Sequence, residues 1–176
     1  MLTLELLVGN IASGKSTYTK EKFQSAANYL MVNDDSIVNL VHGGNYKLYD
    51  KNLKNLYKDI EHSIISAASG NNYNVVVDRP NHTYSMRRRY IGLAKSFDMS
   101  VHVILFGRME PITHAYRRFN SDSRGYDLNY WEKVAKYHDE NFQAPNKEKE
   151  GFDRLSFYNF EDKSLFDLEE VHASIL

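Results

Sequence analysis

Residues 9–17 read Gly-Asn-Ile-Ala-Ser-Gly-Lys-Ser-Thr, a full match to G-x-x-x-x-G-K-[ST], and they follow directly on the apolar run Leu4-Glu5-Leu6-Leu7-Val8. No other stretch restricts the fold as much. Backbone N–H groups converge on an anion only where a strand delivers the chain into a tight turn and a helix begins at once. The motif therefore requires strand, loop and helix in that order. Gly9, Asn10, Ala12, Ser13, Gly14, Lys15, Ser16 and Thr17 are expected to hold the phosphates of ATP. Lys15 should reach the β- and γ-phosphates, and the Ser16 hydroxyl should sit on Mg²⁺. The plainer alternative is a glycine turn beside a stray lysine, which the strand before it and the helical pattern after it disfavour.

Beyond the loop, apolar runs alternate with helical periodicities, which predicts an α/β domain on a mainly parallel sheet. Strands are expected over 3–8, 29–32, 73–77 and 101–106, with a fifth over 154–158. Helices are expected over 13–25, 111–119 and 128–141. Two more carry Leu53, Leu56, Ile60, Ile64 and Ala67, and Met86, Tyr90, Leu93 and Phe97, at helical spacing. The acidic tail after Glu161 is expected to close with a short helix. No repeat or linker interrupts the pattern, so residues 1–176 read as one domain, with a lid over about 111–126.

Carboxylates stand where such a sheet gathers its ligands, at the ends of strands. Val75-Val76-Val77 ends on Asp78, which could help hold Mg²⁺ or could cap the next turn. Asn33-Asp34-Asp35 follows the second strand. Either aspartate could orient a hydroxyl and take its proton, or cap the next helix. There are nine arginines, none before Arg79, and eight fall between Arg79 and Arg124. Arginine suits forked phosphate contacts, so the second half of the chain should handle phosphate. Arg87, Arg88 and Arg89 cannot all face one way on a helix.

Composition excludes several classes. Without cysteine there is no disulfide, thiolate metal site or cysteine nucleophile. The seven histidines form no ligand pair of the H-E-x-x-H kind and read as surface or packing residues, while Trp131 and the tyrosines at helical spacing read as core residues. A net charge of −1 argues against a general polycation. No apolar run approaches the roughly 20 residues of a membrane span, and the N-terminus lacks the basic leader of a signal peptide. A cytoplasmic protein without a membrane partner is the expectation.

Five ordered blocks, GNIASGKST, VNDDSIVNL, VVVDRPNHTYSMRRRY, RRFNSDSRG and APNKEKEGFDRL, resemble the 5′-kinase domain of phage-type polynucleotide kinases over roughly residues 1–160. The resemblance implies a three-layer P-loop kinase fold with a mainly parallel sheet of about five strands and a helical lid. It implies an ATP- and Mg²⁺-dependent kinase acting on a hydroxyl of DNA or RNA, by default the 5′-OH, in a host cytoplasm if of phage origin. Asp35 then matches the general base, Arg118 and Arg124 the lid, Asp78, Asn81, Arg87 and Arg88 the acceptor side, and Ser16 with Asp78 the metal. Four features depart from the pattern. Ile11 and Ala12 replace a Pro-Gly pair, Asp78 and Asn81 stand one residue further apart, the lid arginines Arg118 and Arg124 are spaced more widely, and Val38 occupies the place of an arginine that grips phosphate beside the accepting hydroxyl. Hydroxymethylated bases of phage DNA and free nucleosides or nucleotides therefore stay open as acceptors, as does a homo-oligomer.

Overall fold

The computed structural model of the protein describes residues 1–122 and 124–171. β1 (Thr3–Val8), α1 (Lys15–Ser25), β2 (Tyr29–Val32), α2 (Asp34–Val41), α3 (Lys54–Gly70), β3 (Asn74–Val77), α4 (Tyr84–Ser96) and β4 (Ser100–Phe106) alternate along the first two thirds of the chain. Then come α5 (Pro111–Ser121), α6 (Leu128–Glu140), the short α7 (Lys147–Glu150), β5 (Arg154–Asn159) and β6 (Ser164–Asp167). The strands form one sheet in the order β2-β3-β1-β4-β5-β6. The pairs from β2 to β5 are parallel, and β6 runs antiparallel to β5.

Alternation along the strands explains the layers. Leu4, Leu6 and Val8 of β1 point to the same core as Val101, Val103 and Leu105 of β4, where Ile37, Ile65 and Ile91 cover them from α2, α3 and α4. Leu7, Ile104 and Phe106 point to the other face and meet Tyr18 of α1. A strand buried on both faces has no polar side to show, which is why β1 and β4 read as near-continuous apolar runs. Glu5 is the exception in β1. It is buried on the α1 face and accepts hydrogen bonds from Tyr18 Oη at 2.9 Å, Lys22 Nζ at 2.5 Å and Tyr29 Oη at 3.2 Å.

The sheet has six strands where about five were expected, the sixth being β6 after Glu161. Among the described residues, 162–171 form no helix, and the rest of the tail where a closing helix was expected, residues 172–176, lies outside them. A reversal with Lys163 at φ 58° turns the chain back, and Arg154 clamps Asp167 at 2.8 Å across the hairpin. The tail's own pattern is too short and too charged to announce an edge strand. His172 lies outside the described residues. Among the described residues, no helix is long and apolar enough to cross a membrane.

Candidate active site

The phosphate loop leaves β1 at the carboxyl edge of the sheet. Gly9 donates to Pro80 O at 3.0 Å, which ties the loop to the segment after β3. A Cβ at Gly9 would stand 2.7 Å from Ser13 Oγ and 3.0 Å from Phe106 Cβ. Gly14 caps α1 at φ 96°, a conformation that favours glycine, and the Phe160 ring lies against it, 1.6 Å from where a Cβ would be. Lys15 folds back over the loop, and its ammonium donates to Gly9 O at 3.0 Å, Asn10 O at 2.5 Å and Ser13 Oγ at 3.1 Å. Burial pulls its pKa down to about 8, against the opposing pull of Asp78, with Arg118 adding to the depression.

The loop is also joined to the helices above it. Asn10 Nδ2 donates to Ala135 O in α6 at 2.9 Å, while its Oδ1 accepts from Ile11 N at 2.7 Å. Ile11 packs into the small core between α5 and α6, made by Ala115, Trp131 and Ala135. The expected lid is thus a helical hairpin, with Arg118 on α5 and Arg124 in the connection.

Asn33, and neither aspartate, caps α2, its Oδ1 accepting from Ser36 N at 3.0 Å. Asp34 and Asp35 fall in the first turn, where negative charge meets the positive helix end. They then part. Asp34 turns to Arg79, which also donates to Glu61 Oε1 at 2.7 Å and Tyr90 Oη at 2.7 Å. Burial raises the Asp34 pKa to about 6, with Arg79 opposing and Glu61 adding to the rise. Asp35 turns into the cleft, where it accepts from Arg118 Nη2 at 3.4 Å and Arg124 Nη1 at 3.3 Å. Its side chain is 43 % exposed, so these long pairs stabilise little and are easily surrendered to a phosphate.

Asp78 does not cap a helix. Its amide donates to Val32 O at 2.9 Å, its carbonyl accepts from Asn33 Nδ2 at 3.0 Å, and α4 is capped by Thr83. Burial raises the pKa of its carboxyl group, with Lys15 and a hydrogen bond from Ser16 pulling the other way. Lys15, Ser16, Asp35, Asp78, Arg118 and Arg124 line one cleft of 230 Å³. Asp35 also borders a 520 Å³ recess toward Thr19 and Phe23 and a 370 Å³ recess toward Asn39 and Tyr46.

Three of the expected acceptor-side residues do not reach that cleft. Arg87 is wholly buried, its Nε and Nη2 each 2.7 Å from a Glu150 oxygen and its Nη1 3.1 Å from Asn81 O. Buried with its counterion inside the fold, the guanidinium cannot reach a ligand in the cleft. Asn81, at φ 45°, spends its amide on Leu7 O at 2.8 Å and fastens the β3–α4 connection to β1. Arg88 points outward from α4 and is exposed.

Three residues that line the cleft were not expected there. Trp131 is 4 % exposed and lies beneath both lid arginines, its ring centroid 5.0 Å from the Arg118 guanidinium and 4.9 Å from that of Arg124. Tyr46 also lies against Arg124, with its ring centroid 4.7 Å from the guanidinium. Each contact is a cation–π geometry that fixes where the charge sits. Arg79 is the third, and its place directly after Asp78 at a strand end was the one available signal. Nothing in the spacing of Trp131 or Tyr46 marks them out.

Comparison with known proteins fits this geometry. The family profile described as AAA domain matches residues 4–113. No curated protein matches the sequence. Among solved structures, a chain of the Pnkp1/Rnl/Hen1 RNA repair complex superposes with a TM-score of 0.65 at 18% identity, over 99% of this chain and 51% of that one. A fungal RNA kinase gives 0.63 at 17% identity, over 90% and 38% of the two chains. A chain of the PezAT toxin–antitoxin system of Streptococcus pneumoniae gives 0.61 at 16% identity, over 95% and 71%. The chain thus spans about half or less of the RNA-repair and RNA-kinase chains, and likeness at these identities speaks to the fold alone. The profile takes in the phosphate loop, both aspartate blocks and the first turn of α5, well over half of the sequence, and the chain belongs to the AAA domain family, on a P-loop kinase fold that binds nucleotide.

Proposed function

We propose that the protein is an ATP-dependent kinase that transfers the γ-phosphoryl group to a hydroxyl of a nucleic acid, by default the 5′-OH of DNA or RNA. One observation carries the reading: Asp35 shares a cleft with Lys15 and is flanked by two arginines whose guanidinium groups both lie against Trp131. A switch that only binds nucleotide has no need of a carboxylate there. The printed descriptions of two similar structures, an RNA repair complex and an RNA kinase, agree with a nucleic-acid acceptor.

The loop amides and Lys15 take the triphosphate. Asp35 accepts the proton of the incoming hydroxyl as its oxygen forms the bond to the γ-phosphorus, and the bond from that phosphorus to the β–γ bridging oxygen breaks to leave ADP. Arg118 and Arg124 move from Asp35 to the charge on the transferring group. Ser16 and Asp78 fit Mg²⁺: both are hard oxygen donors that line the same cleft beside Lys15, and this ion usually takes only one or two protein ligands beside the phosphates. When bound, the ion neutralises phosphate charge.

Val38 is 2 % exposed and packs in the core, so that turn of α2 offers no gripping cation. This favours, as a second reading, a hydroxymethylated base or a free nucleoside as acceptor. ATP labelled at the γ-phosphate, offered with a 5′-hydroxyl oligonucleotide, a hydroxymethylated DNA and a nucleoside, tests both. Label on the oligonucleotide supports the first reading and label on either of the others the second. Label on none removes the kinase.

A further inference from the structure

Arg79 faces two ways. On one side it borders the cleft that holds Asp35, and on the other it lines a separate pocket of 220 Å³ between α3 and α4. Lys58 and Arg89 line that second pocket too, and no carboxylate does. The acid that balances them lies behind the wall. Glu61 is 1 % exposed and binds both guanidinium groups from below, Arg79 Nη1 at 2.7 Å and Arg89 through its own Nη1, while Tyr90 Oη donates to it at 3.0 Å. Arg79 is also tied to Asp34, and Arg89 Nη2 reaches Lys58 O at 3.4 Å. Two guanidinium groups are therefore held at fixed positions with donors to spare, since each carries five N–H groups. The Lys58 ammonium has no partner among the described residues. Glu61 and Asp34 offset two of these three cations, and the third, Lys58, leaves the recess with a local positive charge that suits an anion.

We infer that this pocket is a phosphate subsite for the acceptor strand, taking a backbone phosphate beyond the nucleotide whose hydroxyl lies at Asp35. The inference rests on the nucleic-acid kinase reading and narrows it to a single-stranded acceptor several nucleotides long. A strand leaving the cleft past Arg79 meets Arg89 and Lys58 next. Phosphate contacts of this kind position a strand without reading its sequence. Met86 adds an apolar patch to the wall, which suits a sugar face.

The test uses 5′-hydroxyl acceptors of one, two and six nucleotides, together with anisotropy of a fluorescent hexanucleotide over a salt series. Wild-type kcat/KM should rise about tenfold or more from the shortest acceptor to the longest. Lys58→Ala, at an exposed site, should keep the single-nucleotide rate and lose most of that gain. Its log affinity against log salt should flatten by about 0.7, the loss of one contact to a single strand. Arg89→Gln should act in the same direction and serves as a second variant. Equal length gain and equal salt slope in both variants and the wild type would overturn the subsite. A wild type that binds the hexanucleotide with the expected slope changes but transfers no phosphate would keep the subsite and remove the kinase. No binding and no transfer would remove both.

Discussion

Binding of ATP above neutral pH should take up a proton on Lys15. In the free protein the ammonium is buried, and its three hydrogen bonds go to uncharged loop oxygens. Its pKa accordingly lies at about 8 instead of the ordinary 10.5. At about pH 8.5 only about a quarter of Lys15 then carries its proton, because half a unit is a factor of about three. The β- and γ-phosphates bring opposite charge into the same site and restore the charged form, so about 0.7 proton should enter per ATP bound. At about pH 7 the free lysine is already about nine-tenths charged, and uptake should shrink to about 0.1. Calorimetric titration in two buffers of different ionisation enthalpy reads this number directly. An uptake below about 0.2 at the higher pH, or the same uptake at both, would refute the buried neutral lysine. The linked effect on folding has a definite sign. The folded pKa lies below the unfolded one, so the unfolded chain holds more protons between about 8 and 10.5. Stability should therefore rise with pH across that window, recovering about 3 kcal/mol that the buried charge costs at neutral pH.

Asp35→Asn should lower kcat for transfer by about 10²- to 10⁴-fold while ATP affinity stays within about threefold; unchanged transfer would remove Asp35 as the base. Trp131→Leu withdraws the surface beneath both lid arginines, worth about 1 kcal/mol per contact, and should cut kcat about tenfold or more, whereas Trp131→Phe keeps an aromatic face and most of the rate. Steady-state kinetics with equal losses in the two variants would refute that positioning role. Glu150→Gln leaves the Arg87 charge buried without its counterion and should cost about 3–5 kcal/mol in urea unfolding, while Arg87→Met combined with Glu150→Leu recovers much of it. A loss of kcat at unchanged stability would instead return Arg87 to the acceptor side.

The parts of this protein that were legible in the sequence are those governed by local rules. β1, β3 and β4 are parallel strands buried on both faces, so the apolar run is itself the signal, and the phosphate loop announces its own geometry. Asp35 and Asp78 follow from that frame, because a strand end in such a sheet has only one edge to reach. What could not be read depends on partners distant in the chain. Nothing near Arg87 says that Glu150, 63 residues on, will close over it. Trp131 looks like any aromatic on the buried stripe of a helix until the arginines of α5 and its following loop are seen above it. β6 is held by a ladder to β5 and by Arg154, with little apolar pattern of its own.

The side chain of Asn10 joins the phosphate loop to α6, and Ile11 plugs the core of the hairpin. Loop and hairpin are therefore not two parts that can move independently. A swing of the hairpin would pull through these two links on the loop expected to grip the phosphates. Ala135, wholly buried at this junction and remote from any phosphate contact, then becomes a control point for residence time. A bulkier side chain there would loosen the nucleotide from behind and hasten its departure, while every group that touches the phosphates remained intact.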